Sequence, residues 1–161
     1  MAYGWFLVGG GLIIFAVCAT VVAMKKIKNG RVDISALNVP PEKHEYSTAK
    51  YFADRGMDVI FIRPSSIKGQ NNPDFKMGGK IWETKSIISD NTNTLKRRLN
   101  QASKQSANII IDLRRIKARD EKRFIQILNK QSVTPNIKTL LTITKSGNLL
   151  TIKGKFGNIN V

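Results

Sequence analysis

The sequence predicts a mixed sheet domain, α/β with α+β character, built on one core and preceded by a single membrane-spanning helix. Three observations predict it. The first 24 residues contain no Asp, Glu, Lys or Arg. The remainder alternates helix-period and strand-period segments in the order α-β-β-β-α-β-α-β-β. Gly, Pro and Asn fall between those segments, where turns are needed.

Trp5 to Met24 reads WFLVGGGLIIFAVCATVVAM, a run of about the 20 residues that a helix needs to cross a bilayer. Tyr3 and Trp5 stand at its start, where amphipathic rings favour the headgroup region, and Lys25, Lys26, Lys28 and Arg31 follow at once. The positive-inside bias then places the C-terminal side in the cytoplasm. A cleavable leader would need a basic region ahead of the apolar run, and there is none. Residues 1–24 are therefore expected as a transmembrane helix, 25–40 as a basic juxtamembrane linker with room for a short strand or turn near Ile34, and 41–161 as the folded domain.

In that domain Pro41 and Glu42 suit a helix start. Glu45, Ala49, Phe52 and Ala53 recur at helical spacing, and Gly56 stops the helix. Met57 to Ile62 reads as a strand ended by Pro64. Asp74 to Met77 and Lys80 to Ile87 read as a hairpin about Gly78-Gly79. Thr94 to Ala107 is helical, with Leu95, Leu99 and Ala102 on one face. The apolar run of Asn108 to Leu113 suits a central strand covered on both sides. Asp120 to Lys130 is a further helix, and Thr139 to Ile152 a final hairpin about Ser146-Gly147.

With 27 Lys and Arg against 11 Asp and Glu, the formal net charge is +16, all of it beyond residue 24. Such a balance suits an anionic partner, nucleic acid or anionic lipid. Cys18 is the only cysteine, which excludes an intrachain disulfide and a cysteine-based zinc cluster. Walker loops, dinucleotide fingerprints and nucleophile elbows are absent.

The informative chemistry lies at Pro73-Asp74 and at Glu83-Thr84-Lys85. A period of two puts Glu83 and Lys85 on one face of their strand, and Asp74 begins the neighbouring hairpin strand. Two carboxylates and an ammonium then converge. Phosphodiester hydrolysis needs such a set, because Mg²⁺, or another divalent ion such as Mn²⁺ or Zn²⁺, takes hard oxygen ligands, often one or two carboxylates plus waters. Metal binding is assigned to Asp74 and Glu83, with water positioning and charge stabilisation assigned to Lys85. The competing reading is an exposed ion pair worth less than about 1 kcal/mol. Glu45 sits on a buried stripe, where a carboxylate is costly unless paired, so it is a candidate third ligand; the alternative is a stripe edge open to solvent. Arg97, Arg98, Gln101 and Lys104 of the second helix are candidate phosphate contacts.

Three stretches, HEYSTAKYFADRGMDVIFI, NPDFKMGGKIWETKS and LKRRLNQASKQSANIIIDL, together resemble the C-terminal tRNase toxin domains of contact-dependent growth inhibition proteins, which are nucleases of the PD-(D/E)xK superfamily. The resemblance runs from about Pro40 to Phe156. It implies Glu45, Asp74, Glu83 and Lys85 as the active constellation, with Gln101 as a weaker helix-borne contributor. It also implies RNA cleavage with tRNA the leading substrate, a cognate immunity protein that blocks the site, and delivery into a target cell as part of an exported toxin. The chain departs from that pattern in starting with Met1 and an apolar helix. Competing readings are a DNA endonuclease using the same site and a non-catalytic, membrane-anchored nucleic-acid-binding or interaction protein.

Overall fold

The computed structural model describes residues 29–131 and 135–157. Within them one seven-stranded sheet forms with its strands in sequence order: β1 (Val32–Asp33), β2 (Val59–Phe61), β3 (Phe75–Met77), β4 (Lys80–Ser86), β5 (Asn108–Asp112), β6 (Thr139–Ile143) and β7 (Leu149–Lys153). Pairing is parallel for β1/β2, β4/β5 and β5/β6 and antiparallel for the rest. A parallel pair needs a crossover, and helices supply it. The crossovers are α1 (Lys43–Ala53), α2 (Thr92–Gln105) and α3 (Glu121–Gln131), the last entered through a 3₁₀ turn at Ala118–Asp120.

The helices divide the core by the pleat of the sheet. On one side α1 buries Ala49, Tyr51 and Phe52 against Val59, Phe75, Trp82, Ile110 and Leu141. On the other side Leu95, Leu99 and Ala102 of α2 and Phe124 and Leu128 of α3 pack on Ile87, Ile109, Ile111 and Leu140. Adjacent β5 residues thus serve opposite layers, which is why that strand is apolar throughout. The Asn91 side chain caps α2 by accepting from Asn93 N at 2.8 Å. Gly78 and Gly79 both have positive φ, +56° and +71°, as the two-residue turn between β3 and β4 demands.

One expectation is corrected here. The described helices run to 11, 14 and 11 residues, short of a bilayer span of about 20, and each carries a polar face. Among the described residues no helix is long and apolar enough to cross a membrane. Residues 1–24, on which the transmembrane helix rested, lie outside the described residues. Over the described residues the fold is therefore a mixed α+β sheet with no membrane-spanning helix, and the single-pass, cytoplasm-facing membrane placement is withdrawn.

The basic stretch 25–40, expected as a linker, contains β1. Val32 and Asp33 pair with Val59 and Ile60, Gly30 N donates to Ala53 O at 2.8 Å, and Arg31 N donates to Asp58 Oδ1 at 2.9 Å. A Cβ on Gly30 would stand 2.2 Å from Met57 O, so only glycine lets the two backbones meet. Gly30→Ala is expected to lower stability by about 1–2 kcal/mol, as overpacking against backbone does. Urea unfolding checks it; an unchanged midpoint would mean that this stretch is not docked.

Candidate active site

The site is built by the β3–β4 hairpin and completed by α2. Trp82 packs on the α1 side of the sheet, so its neighbours Glu83 and Lys85 project to the α2 side, two residues apart. There they meet as an ion pair, with Lys85 Nζ donating to Glu83 Oε1. Asp74 lies just before β3, and its backbone N donates to Trp82 O at 3.0 Å. This bond holds Asp74 beside β4. Asp74 Oδ2 accepts from Thr84 N at 2.7 Å and from Thr84 Oγ1 at 2.9 Å. With one oxygen fixed by two donors, the carboxylate is oriented before any ligand arrives.

Asp74, Glu83 and Lys85 line one cleft of about 390 Å³ together with Asn72, Arg98, Gln101 and Gln105. The loop before Asp74 is tied to α2 by a 2.7 Å bond from Asn72 N to Gln105 Oε1. Arg98 and Gln101 therefore stand over the carboxylates. Arg97 and Lys104 do not line this cleft; Lys104 borders a separate one with Asn71 and Lys138.

Electrostatics single out Glu83. It is 2% exposed, and its Oε2 is buried without a hydrogen-bond partner. Burial, and then the nearby Asp74 charge, push its pKa up to about 7, against the opposing pull of Lys85. Asp74 is also raised, by burial first, with the two Thr84 bonds opposing. Glu45 is raised by burial and then by Asp74, so the three carboxylates sense one another. Carboxylates that hold protons this readily are short of positive charge, and a divalent cation would supply it.

Glu45 occupies a different position from its neighbours. Its Oε2 accepts from Glu42 N at 3.1 Å, across the start of α1, which gives it a capping role. It faces an adjoining cleft of about 490 Å³ between Leu37–Pro41 and Phe61–Pro64, where it shares a wall with Asp74. Among the described residues no group of three or more His, Cys, Asp or Glu side chains gathers to hold a metal ion. The donor set is the Asp74–Glu83 pair, and it fits an ion that keeps several waters, as Mg²⁺ does. The orphaned Glu83 Oε2 is the observation behind that fit. Thr84 was not singled out from the sequence, where it is merely the residue between two charges; its role as the anchor of Asp74 depends on hairpin register.

The profile of the family described as contact-dependent growth inhibition CdiA C-terminal domain matches residues 70–149, just under half of the chain. That interval holds Asp74, Glu83, Lys85 and the helix above them, and omits Glu45. Among solved structures, a chain from the "CdiA-CT/CdiI toxin and immunity complex from Burkholderia pseudomallei" superposes with a TM-score of 0.53 at 20% identity, covering 76% of this chain and 98% of that one. At that identity the likeness is one of fold. Among proteins with curated descriptions none matches.

Proposed function

We propose that this chain is a toxin-type nuclease domain of the PD-(D/E)xK kind, a metal-dependent endonuclease acting on RNA, with tRNA the first substrate to test. The observation that carries the reading is the buried Glu83 carboxylate, one oxygen paired with Lys85 and the other without a partner, beside an Asp74 already oriented by Thr84. An exposed same-face ion pair would show neither the buried, unpartnered oxygen nor the anchored Asp74. The family profile over residues 70–149 supports the toxin class. The fold neighbour comes from a toxin and immunity complex, which supports a cognate immunity protein as partner.

Asp74 and Glu83 would hold the divalent ion, which supplies Lewis-acid polarisation of the phosphoryl oxygen and a more acidic water. Asp74 keeps one oxygen for the ion because Thr84 engages only the other. Lys85 offers its ammonium where negative charge accumulates in the transition state, and such a donor costs no reorganisation because Glu83 already holds it. Arg98 and Gln101 present donors to the phosphate backbone from α2.

Incubating the purified chain with tRNA, single-stranded RNA and duplex DNA, with Mg²⁺ or with chelator, tests this reading. Cutting of tRNA that needs the metal and vanishes in Asp74→Ala is the expected result. Cutting of duplex DNA instead would assign the site to DNA. Binding without cutting, equal in wild type and variant, would leave a nucleic-acid-binding protein.

A further inference from the structure

We infer that a second cleft, between the start of α1 and the end of β5, is a phosphate subsite that holds a neighbouring phosphate of the chain being cut. The inference rests on the nuclease reading above and adds to it that the substrate is gripped at a phosphate beside the scissile one. The cleft, about 580 Å³, is lined by Lys43, Ser47, Ser86, Arg114 and Arg115, with Glu42, His44 and Asp112. Ser86 directly follows Lys85 on β4, but the pleat turns it to the opposite side of the sheet. Glu42 borders both this cleft and the one containing Glu45 and Asp74. The subsite therefore adjoins, through Glu42, the cleft that Asp74 also lines.

Its donors are unspent. Ser86 Oγ is buried without a partner, an arrangement that is costly unless something else satisfies it. Lys43 and Arg115 are exposed and carry no ion pair among the described residues. Both carboxylates of the cleft are already engaged. Glu42 meets His44 Nδ1 at 3.1 Å. Asp112, 2% exposed, accepts from Thr48 Oγ1 at 3.0 Å and from Arg114 N and Nε at 3.0 Å. Arg114 Nη2 also donates to Ser47 Oγ at 3.2 Å, which leaves the Ser47 hydroxyl free to donate. What remains to meet a ligand is two hydroxyl protons and two free cations. That set suits a phosphodiester or phosphomonoester oxygen.

Two measurements on the full chain test it. In the first, cleavage of a plain dinucleotide is compared with dinucleotides carrying an additional phosphate at the 5′ or the 3′ end. Wild type is expected to prefer one phosphorylated form by about ten-fold in kcat/KM, the worth of one hydrogen-bonded charge. In Ser86→Ala and Arg115→Gln the ratio should fall toward one. No preference in wild type, or a preference that survives in both variants, overturns the subsite. In the second, inorganic phosphate is titrated in chelator while backbone amide resonances are followed. Shifts centred on Ser86 and Arg115, weakened in both variants, support the subsite whether or not a dinucleotide is cut, and if tRNA also stays uncut only the nuclease reading falls. Shifts spread over the basic surface, or none, overturn it.

Discussion

Replacing Lys85 with alanine is expected to lower the rate of RNA cleavage by about a hundred-fold or more, the usual worth of one preorganised charge donor in a transition state, with the fold intact. Lys85 is about a quarter exposed along its side chain while Glu83 is buried, so truncation removes the ammonium without opening the core. It does leave Glu83 with both oxygens unpaired. That raises its proton affinity further, since the Lys85 bond is the main influence holding it down. The pH dependence of the residual activity should therefore move to higher pH in Lys85→Ala. Lys85→Arg keeps the charge but not the compact ammonium and is expected to rescue stability more than rate. Single-turnover cleavage with saturating Mg²⁺, read beside circular dichroism, separates these effects. Equal rates in wild type and Lys85→Ala would remove Lys85 from the chemistry and return the Glu83–Lys85 contact to a structural pair.

How much of this geometry can be read from the sequence depends on how local each part is. The two-residue period of a strand fixes Glu83 and Lys85 on one side, and Gly78-Gly79 brings Asp74 next to them; both follow from residues within a dozen positions. The placement of Arg98 and Gln101 above the carboxylates is harder. Helix phase shows that they share a side, but only the packing of Leu95, Leu99 and Ala102 on the sheet says which side that is. Three features escape altogether. The pairing of β1 is the first: the sequence allows a short strand or turn near Ile34, but two residues carry no periodicity, and Val32–Asp33 pairs with β2 because Gly30 permits close approach to a segment more than twenty residues later. The Asp112–Arg114–Thr48 network joins residues 64 apart, its only sequence trace being an acidic residue at the end of an apolar run. The bond from the Glu42 amide to Glu45 Oε2 is the third, since the buried stripe marks Glu45 as a candidate ligand without showing that one of its oxygens also caps the helix.

Glu83→Gln should make the protein more stable above neutral pH while removing cleavage activity. The sign follows from linkage. An unfolded chain releases this proton near 4.5, whereas the folded protein keeps it to about pH 7. The folded state therefore binds more protons between those values, and stability falls as pH rises through that window. The contribution is fully present below about pH 4.5 and lost above about pH 7, a difference of about 3 kcal/mol at most for such a shift. Glutamine has no proton to release, so the variant escapes the loss; because Lys85 then gives up its partner, the net gain at pH 8 is expected at about 1–3 kcal/mol. Asp74 and Glu45 are raised as well, and they retain their own slope in the variant, so the difference between the two proteins isolates Glu83. Urea unfolding at pH 5 and pH 8 measures it: near-equal midpoints at pH 5 and a higher midpoint for Glu83→Gln at pH 8. Divalent cation should then act in the opposite direction, stabilising wild type at pH 8 by binding the folded site and doing little for the variant. A variant no more stable than wild type at pH 8, or one that gains as much from Mg²⁺, would mean that the buried carboxylate is not the place where charge is missing, and the metal assignment would lose its physical basis.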